Sequence, residues 1–312
     1  MWIRFSGPSR DDEAAPRKPC CVTPFTATAR PFRLIALDLD GTLLDARGEI
    51  SPADAAALTQ FAHSGGIVVL ASGRMTANIR PFYDALGIDG PTIAYNGALA
   101  RDSCVAGGEV ILETPLPAPY ADELIDYTSR ERFHLNYYLG ERLYGWNDPE
   151  LRRFADLYSQ QTGAVFDFVS DLEQFRGRQP TKCIIITDPT VPGKPDPRHR
   201  DELYQVWHAR WGSELTVIRT NPEYLEFYHR DAGKGRALAA LARHCGVEQS
   251  LTLAFGDNFN DVSMLEWAGC GVAVANANED TKAAADWVSP LTNDESAVAD
   301  AIIRLVSDRR RR

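Results

Sequence analysis

Short apolar runs alternate with helical segments at both ends of this 312-residue chain, and this alternation constrains the fold more than any other feature. Near the N-terminal end, residues 33–39, 67–71 and 92–95 are apolar runs of strand length. Segments with helix start and stop signals separate them. Strands that are apolar on both faces and joined by helices form a parallel sheet with both sides covered. The sequence therefore predicts an α/β fold with a Rossmann-like, doubly wound parallel sheet.

The middle of the chain breaks this pattern. From about residue 98 to 227 the predicted strands are longer and half-polar, and the first pattern returns afterwards. We therefore predict a core made of residues 33–97 and 228–312, with an inserted α+β domain at 98–227. Residues 1–32 contain five prolines and no apolar signal segment, so we expect a disordered N-terminal extension there.

Charge and cysteine usage narrow the range of partners. The net charge is −10, and such an acidic surface disfavours nucleic acid and anionic membranes as general partners. No apolar run has the length of a membrane span. The six cysteines are scattered without a CxxC pair, which indicates a reducing, cytoplasmic setting. The four arginines at 309–312 are interpreted as a solvated tail.

Two carboxylates stand at the end of the first predicted strand. Asp38 and Asp40 are two residues apart in extended chain, so both point into one crevice, and Gly41 permits a sharp exit. Open parallel sheets bind ligands at this end of their strands. The two carboxylates repel each other unless a cation or a shared proton compensates. The alternative interpretation is a turn in which the aspartates only cap the backbone.

A second oxygen-rich cluster follows a buried strand late in the chain. Asp257, Asn260 and Asp261 supply carboxylate and amide oxygens at a predicted sheet edge. Hard oxygen ligands of this kind suit Mg²⁺. Helix capping is the alternative for the last two residues, but it does not explain why the cluster accompanies the first pair of carboxylates.

Two further segments place phosphate-binding groups near the same edge. Ser72, Gly73 and Arg74 form a turn after the second strand, where a hydroxyl and backbone N–H groups suit phosphate oxygens. Lys234 begins a helix, where its charge opposes the helix dipole unless an anion lies near it. Each segment alone is a weak signal, because Ser-Gly turns and solvated lysines are common. Together the segments supply a nucleophile, a metal site and phosphate ligands, as phosphoryl transfer requires.

Five motifs in this order resemble those of the haloacid dehalogenase superfamily, and within it the Cof-like phosphatases of subclass IIB. The motifs are DLDGTLL at 38–44, ASGR at 71–74, NGA at 96–98, GKGRAL at 233–238 and GDNFNDVSML at 256–265. The resemblance runs from about residue 33 to the C-terminus. It implies a Mg²⁺-dependent phosphatase whose insert is an α/β cap. The bulky Phe259 and the neighbouring Asn258, where glycine is frequent, depart from the common pattern.

The resemblance also implies roles for individual residues. Asp38 would attack phosphorus to form an aspartyl-phosphate, and Asp40 would protonate the leaving oxygen and then activate water. Ser72 and Lys234 would act with them by holding the phosphoryl oxygens. The residues expected to contact substrate are Gly41, Ser72, Gly73, Arg74, Asn96, Lys234 and Asn260. Those expected to hold or support Mg²⁺ are Asp38, Asp40, Asp257, Asn260 and Asp261, with Asp40 acting through its backbone carbonyl.

The insert offers only general hints about the substrate. Candidates to face the crevice are Asn136, Tyr138, Arg219, Asn221 and Glu226, although each also fits as surface or core of the insert. His134 and His229 are interpreted as ordinary polar residues. We expect a small phosphorylated metabolite, with a sugar phosphate favoured, and either a monomer or a homodimer.

Other functions remain open from the sequence. A phosphomutase would use the same motifs to move phosphate between sugar positions, and a non-catalytic metabolite-binding regulator could share the fold. Retention of every catalytic group weighs against the regulator. A transport ATPase with this chemistry needs membrane spans, and a dinucleotide dehydrogenase needs a GxGxxG after the first strand; the sequence has neither.

Overall fold

The computed structural model describes residues 32–104, 108–187, 200–220 and 223–306. Two sheets organise this part of the chain, one with eight strands and one with six. Nearly all of the predicted N-terminal extension, together with Asn221 and the four C-terminal arginines, lies outside the described residues. None of the helices within the described ranges has both the length and the apolarity that crossing a membrane would need.

The larger sheet begins with five strands and two helices. They are β1 (Leu34–Asp38), α1 (Pro52–His63), β2 (Ile67–Ala71), α2 (Thr76–Leu86), β3 (Thr92–Ala94), β4 (Leu99–Arg101) and β5 (Val110–Glu113). Ser51 caps α1 as its position predicts, because its hydroxyl accepts the N–H of Asp54 at 3.1 Å.

The smaller sheet and its helices follow. They are α3 (Ala118–Glu131), β6 (His134–Leu139), β7 (Arg142–Trp146), α4 (Arg152–Thr162), β8 (Phe166–Val169), β9 (Lys182–Ile186), α5 (Arg200–Trp211), β10 (Leu215–Arg219) and β11 (Tyr224–His229). The strand order is β10-β11-β9-β6-β7-β8, and every pairing except that of β7 with β8 is antiparallel. Below, "the insert" means the described residues from α3 to β11.

The chain then returns to the larger sheet. The remaining elements are α6 (Lys234–His244), β12 (Thr252–Gly256), α7 (Val262–Trp267), β13 (Cys270–Ala273), α8 (Glu279–Ala284), β14 (Trp287–Val288) and α9 (Ala297–Leu305). The strand order of the larger sheet is β14-β13-β12-β1-β2-β3-β4-β5, with parallel pairing from β14 to β3. The strand that ends in Asp38 is therefore central.

Helices cover the larger sheet on both sides, which explains why β1 is apolar throughout. Ile35 and Leu37 pack in one layer with buried residues of α1, α2 and α9. Leu34 and Ala36 pack in the opposite layer with buried residues of α6 and α7. The predicted doubly wound parallel sheet is confirmed in its main part, where alternate side chains of one strand serve two separate cores.

The boundary of the insert differs from the prediction. The sequence assigns β4 (Leu99–Arg101) and β5 (Val110–Glu113) to the insert, but these strands extend the larger sheet by antiparallel pairing. The smaller sheet begins only at His134 and ends at His229. No helix is described between β4 and β5, which pair antiparallel, so the strand–helix alternation that marks the rest of the larger sheet does not extend to them.

Candidate active site

The carboxyl ends of β1, β2 and β12 bring three motifs together. In the parallel register Leu37 lies opposite Phe255 and Asp38 lies opposite Ala71. Asp257 and Ser72 therefore follow neighbouring strands on either side of Asp38. Carboxylate oxygens of Asp38, Asp257 and Asp261 all lie within 4.8 Å of one another, so residues more than 200 positions apart meet at one point.

The turn after β1 packs directly against Asp257. Gly41 has φ +85°, and a Cβ at this position would lie 2.6 Å from Oδ2 of Asp257. Thr42, which is buried, donates its hydroxyl to Oδ1 of Asp257 at 2.7 Å. Both the left-handed backbone and the close approach to Asp257 require glycine at position 41. The packing of this turn and the hydrogen bond from Thr42 together position the Asp257 carboxylate.

Lys234 is fully buried between two carboxylates. Its Nζ lies 2.5 Å from Oδ1 of Asp38 and 2.6 Å from Oδ1 of Asp261. The other carboxylate oxygen of Asp261 accepts the backbone N–H groups of Asp257 and Asn258, each at 3.0 Å. The predicted conflict between this lysine and the helix dipole is thus resolved by nearby anions rather than by solvent.

Burial and mutual repulsion perturb the ionisable groups of the cluster. Burial raises the pKa of Asp38 well above its ordinary value, and the nearby Asp261 adds to the rise while Lys234 opposes it. Burial likewise raises the pKa of Asp257, against the hydrogen bond from Thr42. For Lys234, burial lowers the pKa, but Asp261 and Asp38 outweigh it and the net pKa is raised.

Asp40 and the turn after β2 form the outer part of the site. Asp40 is exposed, and Arg74 donates two hydrogen bonds to its carboxylate. Nε lies 3.0 Å from Oδ2 and Nη2 lies 2.5 Å from Oδ1. Ser72 is buried and its Oγ accepts the backbone N–H of Arg74 at 3.2 Å. Arg74, predicted as a substrate ligand, thus contacts the second aspartate of the first motif and also lines the cavity beside it.

Asn96 connects the larger sheet to the insert. Its backbone is left-handed, with φ +55°, its Nδ2 donates to the Tyr228 hydroxyl at 3.1 Å, and its Oδ1 accepts from Nδ2 of Asn260 at 2.9 Å. The amide nitrogen of Asn260, one of the predicted metal-site residues, is therefore turned toward Asn96. A Cβ on Gly73 would lie 3.0 Å from Oδ1 of Asn96, so this glycine allows a close approach.

A cavity of about 340 Å³ lies between the two sheets, with Asp38 and Asp40 in its wall. The insert contributes two of the predicted candidates, Tyr138 and Glu226. It also contributes residues that no sequence motif predicts, namely Tyr158, Gln161, Lys182, Thr220 and Tyr224. The volume falls in the range of small-molecule sites, roughly 300–1,000 Å³.

Lys182 is the most informative of the missed residues. It is buried at the start of β9, and its Nζ donates to Glu226 at 2.8 Å, to the Tyr228 hydroxyl at 3.0 Å and to the backbone carbonyl of Gly73 at 3.3 Å. A lysine at the head of the apolar run Cys183–Ile186 was a signal in the sequence, because a buried charge must find a partner.

The other predicted residues of the insert lie elsewhere. Asn136 is buried within the insert, and Arg219 lines a second cavity. Asn221 lies outside the described residues. His134 is buried against Phe166 with ring centroids 5.6 Å apart, and His229 is half-buried beside Asp231 at 4.0 Å.

Comparisons with known proteins agree with the fold and the motifs. Residues 35–302 match the haloacid dehalogenase-like hydrolase family. The phosphatase YwpJ of Bacillus subtilis is 31% identical over 298 residues, which cover 88% of this chain and 100% of that protein. The pyridoxal phosphate phosphatase YbhA of Escherichia coli is 31% identical over 281 residues, which cover 82% of this chain and 92% of that protein.

A solved structure agrees as well. A sugar phosphatase described as belonging to subclass IIB of the superfamily has the same fold, with a TM-score of 0.70 at 22% identity, over 87% of this chain and 98% of that one. The chain belongs to the haloacid dehalogenase-like hydrolases, as the five motifs predict, and its relatives place it among the phosphoric monoester hydrolases of that family.

Proposed function

We propose that this chain is a Mg²⁺-dependent phosphatase of small phosphorylated metabolites that works through an aspartyl-phosphate on Asp38. One observation carries the proposal. Asp38, which lines a cavity of about 340 Å³, converges with Asp257 and the buried Lys234, and the cavity is large enough for a metabolite. Nucleophile, cation site and phosphate ligand are thus within reach of one phosphoryl group.

The donor set fits Mg²⁺. Three aspartates face one lysine, so with all groups charged the cluster keeps an excess of negative charge, and their crowding contributes to the raised pKa of Asp38 and Asp257. Hard carboxylate oxygens are the ligands that Mg²⁺ prefers. Asp38 and Asp257 would hold the ion, with the backbone carbonyl of Asp40. Asp261 would support them, since its oxygens bind Lys234 and two backbone N–H groups. The bound cation supplies charge neutralisation for the phosphoryl oxygens.

The proposed reaction has two displacements at phosphorus. A carboxylate oxygen of Asp38 bonds to phosphorus as the bond to the leaving oxygen breaks, and Asp40 gives that oxygen its proton. Water then attacks the phosphorus of the aspartyl-phosphate and passes a proton to Asp40, while the bond from phosphorus to the Asp38 oxygen breaks. This step releases phosphate and restores both aspartates. Arg74 would orient Asp40 through its two hydrogen bonds.

Phosphate recognition would come from the remaining motif residues. Lys234 would hold both the phosphoryl oxygens and the Asp38 carboxylate, and Ser72 would donate its hydroxyl. Gly73 and Asn96 line the cavity, with Asn260 held against Asn96 at 2.9 Å, and Gly41 would contact the phosphate from the turn that packs on Asp257. A buried ammonium group is well suited to this task, because a low-dielectric surrounding strengthens its attraction to the phosphate.

The insert supports a polar leaving group, and we favour a sugar phosphate. Lys182, Glu226 and Thr220 line the cavity and form one hydrogen-bonded set, with Thr220 Oγ1 at 2.6 Å from Glu226 Oε1. Donors and acceptors held side by side match the hydroxyls of a sugar or polyol. The name of the relative YbhA makes pyridoxal phosphate the second substrate to test.

The test is phosphate release from a panel of sugar phosphates and pyridoxal phosphate, with Mg²⁺ and with a chelator. We expect wild type to require the metal and Asp38→Asn to be inactive, because an amide cannot form the acyl phosphate. Rapid-quench mass spectrometry should find a phosphorylated wild-type species modified at Asp38. Asp167→Asn, which changes an exposed carboxylate paired with Arg142, serves as the matched control and should keep its activity.

Two results would contradict the proposal. Metal-independent hydrolysis would show that the carboxylate cluster is not a metal site that the reaction needs. Hydrolysis that persists in Asp38→Asn would exclude the covalent intermediate on that residue.

A further inference from the structure

The chain makes a left-handed turn, Tyr95–Gly97, directly after β3. The backbone φ angle is +52° at Tyr95, +55° at Asn96 and +93° at Gly97. Glycine adopts such angles freely and asparagine does so more readily than most residues, but they are a rare outlier for a bulky side chain. The conformation of Tyr95 therefore needs a cause in its surroundings.

The side chain of Tyr95 does not supply that cause. Its ring is fully buried and lies edge-on to the ring of Tyr138, with centroids 5.6 Å apart. Its hydroxyl has no hydrogen-bond partner among the residues that the structure describes. A buried hydroxyl without a partner costs stability, so polar bonding by this side chain is no reason for the left-handed backbone.

The backbone of the left-handed turn is bonded to the turn after β2. The N–H of Tyr95 donates to the carbonyl of Arg74, and the N–H of Asn96 donates to the carbonyl of Ser72, both at 3.0 Å. The relative direction of these two N–H groups is set by the φ and ψ angles of Tyr95, the residue between them. The left-handed conformation of Tyr95 thus directs two consecutive N–H groups at the segment 72–74.

These two hydrogen bonds orient the peptide groups of the turn after β2. A trans peptide is planar and its N–H points away from its carbonyl, so holding the carbonyl also fixes the N–H of the next residue. The bond to the Ser72 carbonyl orients the N–H of Gly73, and the bond to the Arg74 carbonyl orients that of Met75. Ser72 to Met75 all line the cavity that contains Asp38. The direction of the proposed phosphate donors therefore depends on the left-handed turn.

The left-handed turn also packs against the segment that carries Lys234. A Cβ on Gly97 would lie 2.3 Å from the carbonyl oxygen of Gly233 and 2.7 Å from the backbone nitrogen of Lys234. The turn is thus in contact with the start of α6 while it is hydrogen-bonded to the segment 72–74. A change in its backbone would shift these two segments relative to each other.

We infer that Tyr95 is a positioning residue for phosphate binding, and that it acts through its left-handed backbone rather than through its ring. The inference rests on the proposed function, which places the phosphoryl group at Ser72 and Lys234. Tyr95 itself is not part of the cavity wall, so it acts through the residues that it holds.

The test replaces Tyr95 by two isomers, leucine and isoleucine, in the presence of Mg²⁺. Both variants remove the ring and the hydroxyl, but the β-branched isoleucine tolerates a left-handed backbone less well than leucine. Compared with Tyr95→Leu, Tyr95→Ile should raise the inhibition constant of inorganic phosphate about tenfold. KM for a hexose phosphate should rise by a similar factor and kcat should change much less, because phosphate contacts are lost equally in the ground and transition states.

Two further sets of variants keep the test decisive. Tyr144 lies on the strand β7, where Tyr144→Leu and Tyr144→Ile should give equal inhibition constants for phosphate. Tyr95→Asn decides the outcome even where Tyr95→Ile does not fold, because asparagine accepts the left-handed region but cannot replace the packing of the ring. We expect Tyr95→Asn to bind phosphate at least as tightly as Tyr95→Leu. Weaker binding by Tyr95→Asn would mean that the ring decides, and would overturn the inference.

Calorimetric titration with inorganic phosphate separates this inference from the proposed reaction, because binding needs no turnover. Equal phosphate affinities of Tyr95→Leu and Tyr95→Ile, with hexose phosphate still hydrolysed, would overturn the positioning role and leave the phosphatase intact. A loss of phosphate affinity confined to Tyr95→Ile, with no ester hydrolysed by wild type, would support the positioning role and remove the phosphatase.

Discussion

At the scale of single residues, the cost of burying Lys234 is offset by Asp38 and Asp261. Each carboxylate is within hydrogen-bond distance of Nζ, and all three side chains are almost completely shielded from water. A buried set of one lysine and two aspartates stabilises the fold only while all three side chains are present. A buried charge that loses its partner still carries its desolvation penalty. The arrangement therefore links folding to the chemistry of the site.

Replacing this lysine should be costly for stability as well as activity. In Lys234→Met the two carboxylates lose their cation, and the free energy of unfolding should fall by about 3–5 kcal/mol. Urea denaturation in the absence of metal measures the change. Lys282→Met is the matched control, because its ion pair with Glu279 is a surface pair and is worth about 0–1 kcal/mol. Equal losses in the two variants would contradict a structural role for the buried cluster.

At the scale of elements, β6 shows how a strand of the insert buries a titratable group. His134 is fully buried on β6 beside Phe166, and burial lowers its pKa to about 4. The unfolded chain binds a proton near the ordinary histidine pKa of about 6.5. Between these two values the unfolded state holds more protons than the folded state, so stability must fall as pH falls through this window.

This argument gives a measurable pH dependence. From about pH 7 to about pH 4.5, wild type should lose about 2 kcal/mol of unfolding free energy that His134→Gln does not lose. Denaturant titrations at several pH values measure the difference between the two proteins. His63→Gln at the exposed end of α1 is the control and should follow wild type. Parallel pH profiles for wild type and His134→Gln would show that the folded-state pKa is not depressed.

The elements that the sequence predicts well are those whose burial is uniform. β1, β2 and α1 follow from apolar runs and from the Ser-Pro start of the helix, and they carry Asp38 and Ser72 to the sheet edge. The strands β4 and β5 were wrongly assigned to the insert. Both strands are short and no helix is described between them, so strand–helix alternation cannot reveal that they belong to the larger sheet. Only the pairing of β4 with β3 and of β5 with β4 reveals it.

At the scale of the whole molecule, two sheets build one cavity. The larger sheet supplies the groups proposed for phosphate and metal, and the insert supplies Lys182 and Glu226. Lys182 connects the two parts through the Gly73 carbonyl at 3.3 Å, and Arg101 pairs with Glu141 at 2.5 Å across the same boundary. Sequence motifs could not predict these contacts, because they depend on how the insert packs on the core.

This division predicts that substrate affinity and metal requirement can be separated. Lys182→Met alone leaves Glu226 buried without its cation, so the double variant with Glu226→Gln is the cleaner test. Loss of charged hydrogen bonds to a sugar should raise KM by about tenfold or more. The half-saturating Mg²⁺ concentration should stay within about twofold of wild type, because the proposed ligands of the cation, Asp38 and Asp257, lie on the larger sheet and not on the insert.

Steady-state kinetics with a hexose phosphate, repeated across a Mg²⁺ titration, measures both quantities in one experiment. The double variant should also unfold at a higher urea concentration than Lys182→Met, since it buries no unpaired carboxylate. A shift in the Mg²⁺ requirement with an unchanged KM would contradict the assignment of Lys182 and Glu226 to substrate binding. It would mean that these two residues act on the carboxylate cluster from across the cavity. An increase in KM alone would establish that the insert selects the substrate while the sheet edge performs the chemistry.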